Sequence, residues 1–275
     1  AAQRDNRNSN NNTNINNNAN NNDREPTNDT NYTDATTINT VRKKKIKIKI
    51  ATWNCCSLGN KHQLTVLVND LEYSYIKIVA LQETRWLDEY NRTKHGNYYL
   101  FGGGATTVGK GTRIGGTGVA IHKDLINNVE EYKRGDRFSA ITYNANEKIS
   151  MRIISAYGPT EDKNQTEKKK FYKELDIELK HAKDKKWEVI VAGDFNCELP
   201  TFLTNDNDNE QIQIRQRHLI GRWSKSHLTS YNSIILCQKF PKYELAAVDT
   251  LFRKARHKKV TFIGTFPGKH KSRIY

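Results

Sequence analysis

The chain is 275 residues long and 36% hydrophobic, with 45 Lys and Arg against 30 Asp and Glu and a formal net charge of +15. That length suits one large domain or two small ones, and the apolar fraction allows a true core. No apolar run approaches the roughly 18–20 residues needed to cross a bilayer, which excludes a membrane-spanning helix.

Residues 1–40 contain 15 Asn and few apolar side chains, without periodicity. Such a tract buries too little surface to offset its ordering entropy, so it reads as a disordered tail preceding a domain at 41–275. Three arginines against five acidic residues leave the tail at −2, so +17 falls on 41–275. A domain this basic favours a polyanionic partner, such as nucleic acid or an anionic membrane surface; a solvated lysine-rich face is the plain alternative. The four cysteines are Cys55, Cys56, Cys197 and Cys237. Adjacent Cys55-Cys56 is poorly placed for a structural bridge and no zinc-type spacing is present, so a reduced, intracellular protein is expected.

In chain order, the basic run Arg42-Lys43-Lys44-Lys45 is a nuclear address, a phosphate contact, or the charged face of the strand that follows. The alternation Ile46-Lys47-Ile48-Lys49-Ile50 predicts that strand. Leu64, Leu67, Val68 and Leu71 fall on one face of a helix over 62–75. A buried strand over 76–81 ends at Gln82-Glu83. The glycine-rich residues 102–118 lack the spacing of a phosphate loop and predict a hairpin or flexible loop running into a strand at 119–121. Short strands follow at 139–143 and 150–156, then a helix carrying Phe171, Tyr172, Leu175 and Leu179, then the strand 189–192. Residues 205–210 form a polar, acidic loop. Leu245, Val248, Leu251, Phe252 and Ala255 suggest one more helix. Strands alternating with helices, with strand pairs between them, indicate a layered α/β domain.

Several of these strands end in chemistry-bearing residues. Gly193-Asp194-Phe195-Asn196 leaves the tip of the strand 189–192, and side-chain alternation would point Asp194 and Asn196 the same way. Asp194 there suits a general base or water-positioning carboxylate, and Asn196 a donor to charged phosphate oxygens. Glu83 at a sheet rim suits Mg²⁺, which takes oxygen ligands and keeps several waters. Asn54 ends the first strand, where its amide could orient a phosphate, a metal-bound water or Asp194. Tyr157 leaves its strand just before Gly158-Pro159, where its hydroxyl could reach a phosphate or leaving group. Each has an ordinary reading beside the functional one: an exposed glutamate, turn residues, an Asx turn and a core tyrosine.

Taken in order, Trp53-Asn54, Leu81-Gln82-Glu83-Thr84, Tyr157-Gly158-Pro159 and Gly193-Asp194-Phe195-Asn196 resemble the signature blocks of the endonuclease/exonuclease/phosphatase superfamily. Leu81-Gln82-Glu83-Thr84-Arg85-Trp86 and Val248-Asp249-Thr250-Leu251-Phe252, with Thr261-Phe262 and Pro267, are similar to its apurinic-endonuclease-like branch. That branch includes the nuclease domain of non-LTR, LINE-type retrotransposons and the craniofacial-development-protein-2-like sequences. The resemblance covers about residues 46–275. It implies a four-layered α/β sandwich, two packed β-sheets flanked by helices, and a Mg²⁺- or Mn²⁺-dependent phosphodiesterase that nicks DNA. It implies Glu83 as the metal ligand, Asn54 as its pocket neighbour, Tyr157 as the phosphate-side hydroxyl, Asp194 as the water-handling carboxylate and Asn196 as the phosphate stabiliser. It further implies a nuclear, intracellular setting and a reverse transcriptase domain in a longer polyprotein. The alternatives are a degenerate domain that binds nucleic acid without cutting and a phosphatase of the same superfamily.

The resemblance also calls for a late strand carrying an Asp followed by a His. Neither His257 nor His270 has that context, and the sequence closes on Ser272-Arg273-Ile274-Tyr275. The expectation is a C-terminally incomplete domain, either stopping short of that block or carrying Tyr275 at its acidic position.

Overall fold

The computed structural model describes residues 47–199, 219–221 and 230–253, with the backbone of 262–264 and 272–274. The Asn-rich stretch 1–40, the basic run 42–45, the loop 205–210, and Ala255, His257, Thr261, Pro267, His270 and Tyr275 lie outside the described residues.

Two sheets face each other. The first has strand order β1 (Ile50–Asn54), β2 (Ile78–Gln82), β5 (Thr112–His122), β4 (Tyr98–Val108) and β3 (Tyr90–His95). The second has β6 (Val129–Arg134), β7 (Phe138–Asn146), β8 (Ile149–Tyr157) and β9 (Glu188–Asp194). β1 runs parallel to β2 and β8 parallel to β9, while the remaining neighbours are antiparallel. A 3₁₀ helix, Lys123–Asn128, connects the sheets. A separate antiparallel pair joins β10 (Phe262–Gly264) to β11 (Ser272–Ile274).

The side-chain period of two assigns each face. Ile78, Val119, Ile121, Ile141 and Ile153 fill the space between the sheets. Val79, Leu81, Leu100 and Ala120 face outward onto helix α1 (Lys61–Tyr73), which buries Leu64, Leu67, Val68 and Leu71. On the other side, Ala140, Ile154 and Ala156 pack against α2 (Gln165–Asp184) and α3 (Tyr231–Tyr243). The outcome is four layers, helix, sheet, sheet and helices, as expected. Local chemistry starts each helix: the Asn60, Asn164 and Ser230 side chains accept N–H groups of the first turns of α1, α2 and α3. Among the described residues no helix is long and apolar enough to cross a membrane.

Three expectations shift. The first strand is 50–54 rather than 46–50, because it pairs with β2 from Ile50↔Ile78 onward, while Lys47, Ile48 and Lys49 stand outside any strand. Ile48 nevertheless packs against the inter-sheet core, so its apolar alternation was real but marked burial rather than pairing. The glycine-rich segment 102–118 is a hairpin, yet most of it is strand: Gly102, Gly103 and Gly104 lie within β4. A Cβ on the facing Gly118 would sit 2.6 Å from the Trp86 ring, so glycine here makes room for an aromatic lid. The helix expected around Leu245–Phe252 shrinks to α4 (Val248–Leu251), because Ala247 is drawn into a backbone pair with residues 219 and 220. The longer helix of this region is α3, which the apolar spacing of 245–255 did not indicate.

Candidate active site

Four strand ends meet at one rim of the gap between the sheets. β1 ends at Asn54 and β2 at Gln82, just before Glu83; across the gap, β8 and β9 end as the pair Tyr157↔Asp194. The Asn54 Nδ2 donates to Glu83 Oε1 at 3.0 Å and to Asp194 Oδ2 at 3.0 Å. The Tyr157 hydroxyl donates to Glu83 Oε1 at 3.1 Å. One amide and one phenol thus hold two carboxylates, one from each sheet, at a common point.

Glu83 reaches this point through an unusual backbone. Gln82 points between the sheets, so a continued strand would send Glu83 to the helix side. Instead Glu83 has φ +53°, a left-handed conformation that costs a non-glycine residue on the order of 1 kcal/mol. The rim loop is pinned by Thr84 N–H to the Gly116 carbonyl at 3.2 Å and Arg85 N–H to the Gly115 carbonyl at 3.0 Å.

Asn196 is close by for a different reason than alternation. β9 ends at Asp194, and Asn196 has φ +50°. Its backbone N–H donates to Asp194 Oδ1 at 3.0 Å, an Asx-type turn, and its side-chain Nδ2 donates to the Gly158 carbonyl at 2.8 Å. The five residues singled out from the sequence are therefore brought together, with the Asn196 amide held against the turn after Tyr157. Two glycines permit this approach. A Cβ on Gly193 would fall 1.9 Å from the Ala156 carbonyl oxygen, and one on Gly158 would fall 2.7 Å from that of Phe195. Gly193→Ala is expected to force β9 away from β8 beside Asp194 and to destabilise the domain by more than about 2 kcal/mol. Urea unfolding measures this; an unchanged midpoint would remove the steric account.

The electrostatics favour a protonated phenol. Burial, then the neighbouring Glu83 charge and its hydrogen bond, push the Tyr157 hydroxyl well above the ordinary tyrosine range, so it stays a donor across neutral pH. The Arg137 guanidinium lies 5.8 Å from the Tyr157 ring centroid and pairs with Glu167. The Arg137 carbonyl also accepts the Tyr157 N–H at 2.9 Å.

The sequence did not single out Arg137, Cys56 or the polar layer under the site. The Cys56 N–H donates to Asn54 Oδ1 at 3.2 Å, with the Cys56 Sγ at 3.7 Å, which settles which end of the Asn54 amide faces the carboxylates. All four cysteines are free, and burial pushes the Cys55 thiol up to about 12. Among the described residues no group of three or more His, Cys, Asp and Glu side chains gathers as a ready metal cage.

Comparison with known proteins gives one family match: the family described as the Endonuclease/Exonuclease/phosphatase family, over residues 51–234. No curated protein matches. Among solved structures, the chain is similar to the catalytic domain of Xenopus laevis APE2, with 18% identity and a TM-score of 0.44 over 58% of this chain and 62% of that one. It is similar to the AP endonuclease LMAP from Leishmania major, with 13% identity and a TM-score of 0.46 over 71% of this chain and 66% of that one. It is also similar to an AP endonuclease from Archaeoglobus fulgidus, with 17% identity and a TM-score of 0.38 over 58% of this chain and 62% of that one. The chain thus spans less than two thirds of the length of each of these structures.

Proposed function

We propose, from the premise that the chain belongs to the Endonuclease/Exonuclease/phosphatase family, that it is a divalent-metal-dependent phosphodiesterase that nicks DNA, of the LINE-type retrotransposon branch. The observation that carries this reading is the Asn54 amide held between Glu83 and Asp194, with the Tyr157 hydroxyl on Glu83, where the two sheets meet. The surplus of +17 on 41–275 supports a polyanionic substrate, whose binding would be largely electrostatic and salt-sensitive.

The donor chemistry fits a hard cation. Glu83 and Asp194 offer carboxylate oxygens, and among the described residues these accept from the Asn54 amide, the Tyr157 hydroxyl and the Asn196 N–H, an oxygen-donor setting that suits Mg²⁺ with several retained waters. Glu83 would hold the ion, which when bound supplies a Lewis acid and a charge clamp on the scissile phosphate. Asp194, oriented by Asn54 and by the Asn196 N–H, positions a water and accepts its proton. Asn54 keeps both carboxylates aimed at one point. Tyr157 remains protonated and offers its hydrogen to Glu83 or to a phosphate oxygen. Asn196 keeps its second amide hydrogen for the phosphate.

Conversion of supercoiled plasmid to open circle tests this reading. Nicking is expected with Mg²⁺, abolished by EDTA and restored by excess Mg²⁺. A gel shift without nicking would favour a binding-only domain. Release of phosphate from inositol phosphates without nicking would favour a phosphatase.

A further inference from the structure

One layer below the candidate site lies a continuous polar bridge. The Thr52 hydroxyl donates to Gln82 Oε1 at 3.1 Å, Gln82 Nε2 donates to Ser155 Oγ at 2.9 Å, and Ser155 Oγ donates to the Leu81 carbonyl at 2.8 Å. Gln82 is 1% exposed and Ser155 is fully buried. The register of this bridge follows the site above it. Thr52 lies two residues before Asn54 on β1, Ser155 two before Tyr157 on β8, and Gln82 directly precedes Glu83 and pairs with Asn54 across β1 and β2. A period of two places Thr52 beneath Asn54 and Ser155 beneath Tyr157 on the same faces.

The site is divided between the sheets: Asn54 and Glu83 belong to one, Tyr157 and Asp194 to the other. Its two inter-sheet contacts, Asn54 to Asp194 and Tyr157 to Glu83, lengthen if one sheet slides on the other. The isoleucines deeper between the sheets hold them together but resist sliding poorly, because apolar attraction is non-directional. A satisfied hydrogen-bond chain is directional, and leaving one of its buried members unpaired is costly. A second tie, the Thr117 and Ser139 hydroxyls at 2.9 Å, joins β5 to β7 in the same space.

We propose that Gln82 is a positioning residue for the candidate reaction: with Thr52 and Ser155 it locks the two sheets in the register that brings Glu83 and Tyr157 against Asn54 and Asp194. This rests on the phosphodiesterase reading for its kinetic test but not for its structural one.

Gln82→Met keeps length and volume while removing both hydrogen-bonding ends. Its kcat for plasmid nicking is expected to fall about 10- to 100-fold, as supporting-shell and small positional losses do. DNA affinity by gel shift without metal should stay within about twofold, because Gln82 is buried away from substrate. Ser155→Ala should reproduce part of the fall. The double variant should lose little more than Gln82→Met alone, since both break one chain. Thermal melting keeps folding in view: losses of kcat that merely track the melting temperature across Thr52→Val, Ser155→Ala and Gln82→Met would overturn the proposal in favour of plain stability. Should wild type fail to nick, the nuclease reading falls, and a crystal structure of Gln82→Met still decides the positioning claim. Lengthened contacts from Asn54 to Asp194 and from Tyr157 to Glu83 support it; unchanged contacts overturn it.

Discussion

Asp194→Asn is expected to reduce plasmid nicking by roughly 10²–10⁴-fold, the usual loss when a positioned general base is removed. The substitution preserves size but removes the charge that, on the proposed reading, orients and deprotonates water. It also sets an amide where Asn54 Nδ2 now donates to a carboxylate oxygen at 3.0 Å, so two donors can come to face each other. The Asx-type bond from the Asn196 N–H can persist, because an Asn side chain still offers its carbonyl oxygen. The fold should therefore survive, with a melting temperature within a few degrees of wild type. Glu83→Gln should show a similar loss that added Mg²⁺ does not rescue. Initial rates on supercoiled plasmid, read beside circular dichroism melts, give the answer. A well-folded Asp194→Asn protein that nicks within threefold of wild type would remove Asp194 from its assigned role.

The second large effect is on stability. Arg152 and Glu178 are each 1% exposed at the side chain and join β8 to α2 through a 2.8 Å hydrogen bond. Lys133 pairs with the other Glu178 oxygen, and Arg152 also donates to the Thr142 hydroxyl at 2.8 Å. Arg152→Met leaves the Glu178 carboxylate buried with only Lys133, a loss of about 3–5 kcal/mol for breaking a buried pair. In a domain of this size that lowers the melting temperature by roughly 10 °C. Arg152→Met combined with Glu178→Leu should recover much of it, because no buried charge is then stranded: Lys133, which loses its partner, is 42% exposed at the side chain. The same group predicts an acid limb. Burial works against the Glu178 charge, but the bonds from Lys133 and Arg152 prevail and hold its carboxyl below the ordinary value of 4.5. A carboxylate with a lowered folded pKa contributes stability above its unfolded value and loses it as pH falls through the folded one. Wild type should therefore lose stability below about pH 4.5 more steeply than the double variant. Parallel acid melts would contradict the assignment.

Much of the framework follows from local pattern. The helical faces of α1 and α2, the strands β2, β8 and β9, and the order of the four signature blocks are each written in stretches of a dozen residues or so. In those stretches a period of 3.6 or 2 and an abrupt polar ending carry the information. The family follows from the same blocks. What depended on short-range periodicity with no partner in view went astray. The strand at 46–50 slid to 50–54 because pairing with β2, not apolar alternation, sets where a strand begins. The pairing of Asp194 with Asn196 came from a left-handed turn rather than from alternation.

By itself, then, the sequence determined the layered α/β class, the family and the five polar residues worth bringing together. Only the tertiary structure decided how they meet. Asn54 and Asp194 are 140 residues apart in the chain and Tyr157 and Glu83 are 74 apart, and each pair joins opposite sheets. Their contact goes with a left-handed backbone at Glu83, with two glycines that let β8 and β9 close up, and with a buried glutamine that bonds across the gap between the sheets to Ser155. None of these is a property of a short stretch of sequence, because a side chain's direction at a strand end is set by the strand it meets across the core.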